Sequence, residues 1–383
     1  MKTKQVIQFV QQANWAGIEV IVFRLATALR DLGIDSAVWC MGQGLLTQHL
    51  HDADIAYKIF PFTSKFDLAT TWQLRRALQA QHVQVLHTHG QRAMLLGNPA
   101  AKSARVPAIV TTFHTFVHMT GEVIPAYKLY GRIEGLLGRY ATDCCVAYTE
   151  SARRDAIQMR GVPPSKVKTI YNGVDLAQFS PMQNEAERAR ARADLGLLPN
   201  DFVIGAVGRL APLKGHIYLL DALPLVRKQM PHAKIVLVGD GSQRAALEEH
   251  IKTLGLESAV ILLGGIPTTR EIYSTFDTFV FPSVEGAFGV VILEAMACGI
   301  PVIATRLDGT DELITNGTNA LLVSPRAPDE IANAVLRLAQ NRALGEQLTR
   351  AAHTRIENDF SASAMARHYL ELYDSILSRK GVA

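Results

Sequence analysis

Residues 202–215 read FVIGAVGRLAPLKG, an unbroken apolar run followed by a loop that carries Arg209 and Lys214. A strand with one wet face alternates apolar and polar residues; this run does not alternate, so both of its faces must be covered. The signature recurs at KIVLVG (234–239), AVILLG (259–264), TFVFPS (278–283), IPVIAT (300–305) and ALLV (320–323). Strands of this kind separated by helical-period segments predict an α/β domain, a doubly wound parallel sheet with helices on both faces.

Earlier in the chain, QVIQFV (5–10), SAVWC (36–40), VQVLH (83–87), AIVTTF (108–113), DCCVAY (143–148) and VKTIY (167–171) form a second series. Between the first two, Ile18, Ile21, Val22, Leu25, Ala28, Leu29 and Leu32 recur at helical spacing. A chain of 383 residues with 48% hydrophobic content is too long for one core, so two consecutive Rossmann-like domains are expected. The stretch DLAQFSPMQNEAERARARADLGLLPN (175–200) loses strand character and places the junction there. The expected first domain is 1–178 and the second 179–360, with a last helix over 361–379 able to pack back on the first.

Composition narrows the function classes. No run reaches the roughly 18 uncharged apolar residues of a spanning helix, and MKTKQVIQFV reads as a first strand. The four cysteines, Cys40, Cys144, Cys145 and Cys298, sit in apolar segments without metal-ligand spacing, which suits a reducing, cytoplasmic compartment. Residues 1–180 hold 19 Lys and Arg against 12 Asp and Glu, and the remainder 20 against 23. That asymmetry, without basic runs or interleaved aromatics, speaks against nucleic acid and fits an anionic membrane surface or a phosphorylated ligand.

Ligands of open α/β sheets bind beyond the carboxyl ends of the strands, where Arg209 and Lys214 stand. A planar guanidinium and a compact ammonium in a Gly-bounded loop suit a pyrophosphate, although two solvated loop cations would read alike. In VGDGSQRAALEEHI (238–251), Arg244 occupies the place where a dinucleotide fingerprint needs Gly or Ala. The stretch therefore reads as a helix start, with Gly241 in the turn and Ser242 as cap. In VFPSVEGAFGVVILEAMACG (280–299) a strand gives way to a turn and then to a helix near Gly289. Its unpaired N–H groups suit phosphate. Glu294 lies one turn inside, beside Val290 and Val291, and a buried carboxylate needs partners: a ribose diol or local backbone.

The first half offers ANWAGIE (13–19), where Gly17 lets backbone approach a ligand, and three histidines past strand ends: His87 and His89 in LHTHG, His114 in TTFHTF. They do not form a convincing metal set, and no metal is expected. In IPAYKLYGRIEGLLGRYA (124–141), Ile124, Tyr127, Tyr130, Ile133, Leu137 and Tyr140 recur at helical spacing with Lys128, Arg132 and Arg139 interleaved. This helix reads either as a bilayer-surface helix or as an ordinary cover on the first domain.

Taken in order, YNGVDLAQFSP (171–181), VGRLAPLKG (207–215), LVGDG (237–241), VFPSVEGAFGVVILEAMACGIPVIAT (280–305) and DELI (311–314) resemble the retaining nucleotide-sugar glycosyltransferases of family 4. LHTHG, FHT and YTESAR continue the resemblance through the first half. It implies the GT-B fold, two Rossmann-like domains facing across a central cleft. It further implies that Arg209 and Lys214 hold the donor diphosphate and Glu294 the ribose. Gly286, Phe288, Gly289, Val290 and Val291 would bind phosphate and sugar hydroxyls, with Ile266 near the base and Gly17 near the diphosphate. His114 would bind the transferred sugar, Glu285 would take the family's first-glutamate role, and His89 would lie on the acceptor side. Family chemistry is usually metal-independent. Two departures stand out: Ala16-Gly17 replaces the family's paired glycines, and Glu285 and Glu294 enclose eight residues rather than seven, which puts Gly286 in the first glutamate's place.

The expected reaction moves a hexose or N-acetylhexosamine from a UDP- or GDP-sugar to a glycan or glycolipid hydroxyl, with retention. Bacterial cell-surface polysaccharide or lipopolysaccharide synthesis is the expected setting, in the cytoplasm or peripheral on the inner membrane face. A nucleotide-sugar epimerase, or a non-catalytic sugar-nucleotide binder, remains the alternative on the same scaffold.

Overall fold

The computed structural model describes residues 5–15, 17–61, 67–114, 125–266, 270–286 and 289–382, with backbone alone for 125–130. The chain forms two compact units, Met1–Gly173 with Ser361–Ala383, and Val174–Phe360.

In the first unit, β1 (Gln5–Val10), β2 (Asp35–Cys40), β3 (Tyr57–Ile59), β4 (Val85–His89), β5 (Ala108–Phe113), β6 (Cys144–Ala147) and β7 (Val167–Thr169) make one parallel sheet in the order β3-β2-β1-β4-β5-β6-β7. Six of the seven strands were expected, β7 at one edge among them; the one that sequence reading did not find, β3, is the three-residue strand at the other edge, with two exposed residues and no apolar run to announce it. The helix Gly17–Asp31 buries Ile21, Val22, Leu25, Ala28 and Leu29 as expected. Leu32 departs from that expectation: the helix ends at Asp31, so the next residue sits in a turn and is 39% exposed.

The last helix, Ala362–Arg379, belongs to this first unit. Ser361 caps it by accepting from the Ala364 N–H at 3.2 Å. Its Tyr369 and Tyr373 are buried, and their hydroxyls meet Thr112 Oγ1 at 3.0 Å and His87 Nδ1 at 2.8 Å. The chain can leave and re-enter here because residue 173 is glycine: a Cβ would stand 2.6 Å from the Ser361 carbonyl oxygen.

The second unit repeats the plan. Strands β8 (Phe202–Val207), β9 (Ala233–Val238), β10 (Val260–Gly264), β11 (Thr278–Phe281), β12 (Val302–Thr305) and β13 (Leu321–Val323) run parallel in the order β10-β9-β8-β11-β12-β13. Both orders reverse once, between β1 and β4 and between β8 and β11, and such reversals open a crevice at the strands' carboxyl ends. Gly205, in the middle of β8, looks out of place in a strand until packing is considered. The Phe276 ring fills the space over it, and a Cβ there would lie 2.1 Å from a ring carbon.

Gly205→Ala should therefore destabilise the second unit by about 1–3 kcal/mol, the usual cost of overpacking a filled core. Urea unfolding would read this as a lower midpoint with an unchanged slope.

Candidate functional site

At the β8/β11 reversal the loops after the two strands are tied together. The Val284 N–H donates to the Leu213 carbonyl at 2.9 Å. Gly215, at φ +63°, lies so close to Pro282 that a Cβ would stand 2.1 Å from its carbonyl oxygen. The loop after β9 joins them: Leu210 N–H donates to the Asp240 carbonyl, and Gln243 N–H to the Leu210 carbonyl. Side chains at 239 or 241 would collide with the carbonyls of Gly208 and Leu210. These glycines allow loop-to-loop contact. Ser242 does not cap the following helix: Arg244 N–H closes a turn on the Gly241 carbonyl, so the helix starts at Arg244 with Gln243 at the cap position.

This junction gathers part of the expected donor-binding set of the second unit, Lys214 and the helix start at Gly289. Arg209 is exposed, whereas Lys214 is half-buried with its ammonium 5.5 Å from the centroid of the Phe281 ring. The same ring touches the start of the helix Val290–Ala297, since a Cβ on Gly289 would lie 3.3 Å from it. That helix has no side-chain cap at Gly289; Ile292 N–H turns back to the Gly289 carbonyl at 3.0 Å, and the N–H groups of Val290 and Val291 lie at the helix start, where anions bind. Burial, and then the Arg209 charge, lower the Lys214 pKa from its ordinary value. Both effects are costs that a bound polyanion would relieve.

Glu294 is 4% exposed, and its Oε2 accepts from the Tyr273 hydroxyl at 2.7 Å. Tyr273 is itself fully buried and packs edge-on against Phe179 and Phe276. It is a site residue that sequence reading missed, because nothing in REIYS (270–274) links it to a carboxylate twenty-one residues on. Val290, Val291 and Glu285 are half-buried. Gly286 has φ +118°, a conformation strained for any side chain, so this turn could not carry a glutamate at 286 without rebuilding. Ile266 is 40% exposed just past Gly264, and Phe288 lies outside the described residues.

In the first unit, Gly17 is exposed at the start of its helix, and Gly90 (φ +88°) turns the chain after β4. Here β4 and β5 pair with His89 opposite Thr112. His89 Nδ1 lies 3.1 Å from His114 Nε2, and the His114 ring stacks near-parallel to Tyr148. His89, expected on the acceptor side, is only 1% exposed beside His114, because its strand carries it into the core. His87 lies deeper still, between Tyr373 and Thr112. Burial lowers all three histidine pKa values, His114 to about 4. In the second unit His216, after Gly215, is lowered to about 4 by burial and then by Lys214. Among the described residues, no group of three or more His, Cys, Asp or Glu is arranged to hold a metal ion, and no helix is long and apolar enough to cross a membrane.

Residues 15–178 match Glycosyltransferase Family 4, and residues 201–341 match Glycosyl transferases group 1. A D-inositol 3-phosphate glycosyltransferase of Jonesia denitrificans is 30% identical over 314 residues, 78% of this chain and 73% of its own. The chain belongs to the family 4 glycosyltransferases of group 1. This glycosyltransferase is also 26% identical over 372 residues, 95% of each chain, to the UDP-Gal:alpha-D-GlcNAc-diphosphoundecaprenol alpha-1,3-galactosyltransferase of Escherichia coli. Its fold is GT-B. The structure of Anabaena HepE in complex with UDP-glucose superposes with a TM-score of 0.85 at 24% identity, covering 97% of this chain and 99% of that one. The lipopolysaccharide outer core galactosyltransferase WaaB superposes at 0.70 and 16% identity, over 97% and 99%.

The two histidines held at about 4 in the folded glycosyltransferase have an ordinary value of 6.5 when released. Between those values the unfolded chain binds more protons, so stability is full above pH 6.5 and falls as pH drops towards 4. Urea midpoints across this window should decline with falling pH. The decline should be shallower in a His114→Asn, His216→Asn double variant.

Proposed function

We propose that this enzyme transfers a hexose or N-acetylhexosamine from a UDP-sugar to a hydroxyl of a glycan or glycolipid, with retention at the anomeric carbon, in building a bacterial cell-surface polysaccharide. The observation that carries the reading is the meeting of Lys214 and an uncapped helix start on one ring, Phe281, with the buried Glu294 on that same helix. Cations and backbone donors for a diphosphate thus stand one helical turn from an acceptor suited to ribose hydroxyls. The UDP complexes of HepE and the UDP-Gal donor named for the Escherichia coli relative favour UDP over GDP.

On this reading Arg209, Lys214 and the N–H groups around Gly289 and Val290 bind the diphosphate. Tyr273 presets the Glu294 carboxylate for the ribose, while Ile266 lies by the base. Glu285, the backbone at Gly286 and Phe288 to Val291, and His114 take the sugar hydroxyls. As the bond from the anomeric carbon to the diphosphate breaks, negative charge grows on the leaving oxygen beside Arg209 and Lys214, which stabilise it. The acceptor hydroxyl enters from the same face, forms the new bond to that carbon and passes its proton to the departing diphosphate. No metal has a step in this scheme, because the two cations and the helix start supply the positive charge.

The helix Pro125–Tyr140 supports a peripheral, cytoplasmic membrane location. Arg132, Leu136, Arg139 and Tyr140 are exposed along one stripe, whereas Glu134, Gly135 and Gly138 are buried, Glu134 on Arg160 at 3.1 Å. This stripe suits anionic headgroups; Lys128, expected to join it, lies where the helix is described by backbone alone.

Lys214→Ala should lower kcat by about 10²–10³-fold or more, the scale of losing one preorganised charge-stabilising group. The assay is acceptor-dependent UDP release over a panel of UDP-sugars, and near-parental turnover would count against the assignment. The same donors incubated without acceptor should not isomerise; interconversion would support the epimerase reading. Sedimentation with anionic phospholipid vesicles should show salt-sensitive binding that Arg132→Glu with Arg139→Glu abolishes. Binding unchanged by that pair would make the helix structural only.

A further inference from the structure

His89 uses one ring nitrogen on His114, while its other, Nε2, is buried without a hydrogen-bond partner among the described residues. Burial, followed by the neighbouring His87 and His114, keeps the His89 ring neutral near pH 7, with one proton for two nitrogens. Two arrangements are open to it. If His114 Nε2–H donates to His89, the His89 proton must sit on Nε2, as a buried N–H with no acceptor. Orphaned buried N–H groups are rare and costly in folded proteins, more so than carbonyl oxygens with a spare lone pair. If His89 Nδ1–H donates instead, only a lone pair is left at the buried nitrogen.

We propose that His89 is a positioning residue: its Nδ1–H donates to His114 Nε2 and so confines the His114 proton to Nδ1, making that N–H the donor His114 offers to the transferred sugar. The proposal rests on the reading of His114 as a sugar-binding residue. The opposite tautomer would spend the His114 proton inside the protein and present only a lone pair to the ligand. The rings behind keep His89 in place. His87 lies 4.0 Å away, centroid to centroid, and is fixed by the Tyr373 hydroxyl and by Thr112, which Tyr369 also engages. The last helix of the chain therefore has a task at this site: its two tyrosines brace the stack that sets the His114 tautomer.

The test is a long-range proton–nitrogen NMR spectrum of full-length protein labelled at its 12 histidines, with signals assigned through His89→Asn and His114→Asn. The parent should show His114 protonated at Nδ1 and bare at Nε2. In His89→Leu the internal donor is lost, and His114 should revert to the Nε2–H form that free imidazole favours. His89→Asn places an amide N–H near the former Nδ1 and should preserve the Nδ1–H form. With whichever of UDP-glucose, UDP-galactose, UDP-N-acetylglucosamine or UDP-N-acetylgalactosamine is turned over, His89→Leu should lower kcat about tenfold, the worth of one hydrogen bond. His89→Asn should recover most of that loss. An Nε2–H signal for His114 in the parent, or equal behaviour of the Leu and Asn variants, overturns the proposal. Parental kcat/KM in His114→Ala, with the tautomer as expected, overturns the sugar-binding reading and the role of His89 in it, while the tautomer assignment stands.

Discussion

Gly215 rests against the Pro282 carbonyl at a distance that admits no side chain, and the candidate donor site of the second unit depends on that contact. It lets the loops after β8 and β11 close on each other, with the Val284 to Leu213 hydrogen bond as the tie. Once closed, they set Lys214 and the start of the helix Val290–Ala297 on the Phe281 ring. Two cations held near each other, one of them half-buried, are costly while the site is empty. On the proposed function, that cost is the counterpart of preorganisation: the charges need not be gathered when a negatively charged leaving group forms.

The first unit has the same strand-order reversal but a different chemistry at its edge. Its three histidines are kept neutral by burial, so they are suited to hydrogen bonding and not to charge stabilisation. The excess of Lys and Arg over residues 1–180 lies elsewhere in that unit, with Arg132 and Arg139 on an exposed helix stripe. One topology thus carries an electrostatic site in one unit and a neutral, directional one in the other. The difference comes from which residue types follow the strands and how deep the strands carry them.

The unbroken apolar runs made the parallel sheets legible, because a strand buried on both faces has no reason to alternate. Edge strand β3 was not legible, since an exposed three-residue strand lacks that signal. Leu32 and Ser242 were misread for a local reason: helix ends depend on one or two backbone hydrogen bonds, which periodicity does not report. Glu294 in VVILEAMA was conspicuous as a carboxylate among apolar residues. Its partner Tyr273 was not, because the pairing is made by packing between separate helices.

The order of residue types along the chain determined that it folds as two doubly wound units and that Arg209, Lys214 and Glu294 stand near strand ends, since periodicity and loop position are local properties. Tertiary structure alone decided that His89 lies beside His114, that Tyr369 and Tyr373 from the last helix brace His87, and that Tyr273 holds Glu294. Those relations join residues far apart in sequence. They exist only because neighbouring strands and returning helices bring buried polar atoms to within hydrogen-bond reach, where each must find a partner or remain at a cost.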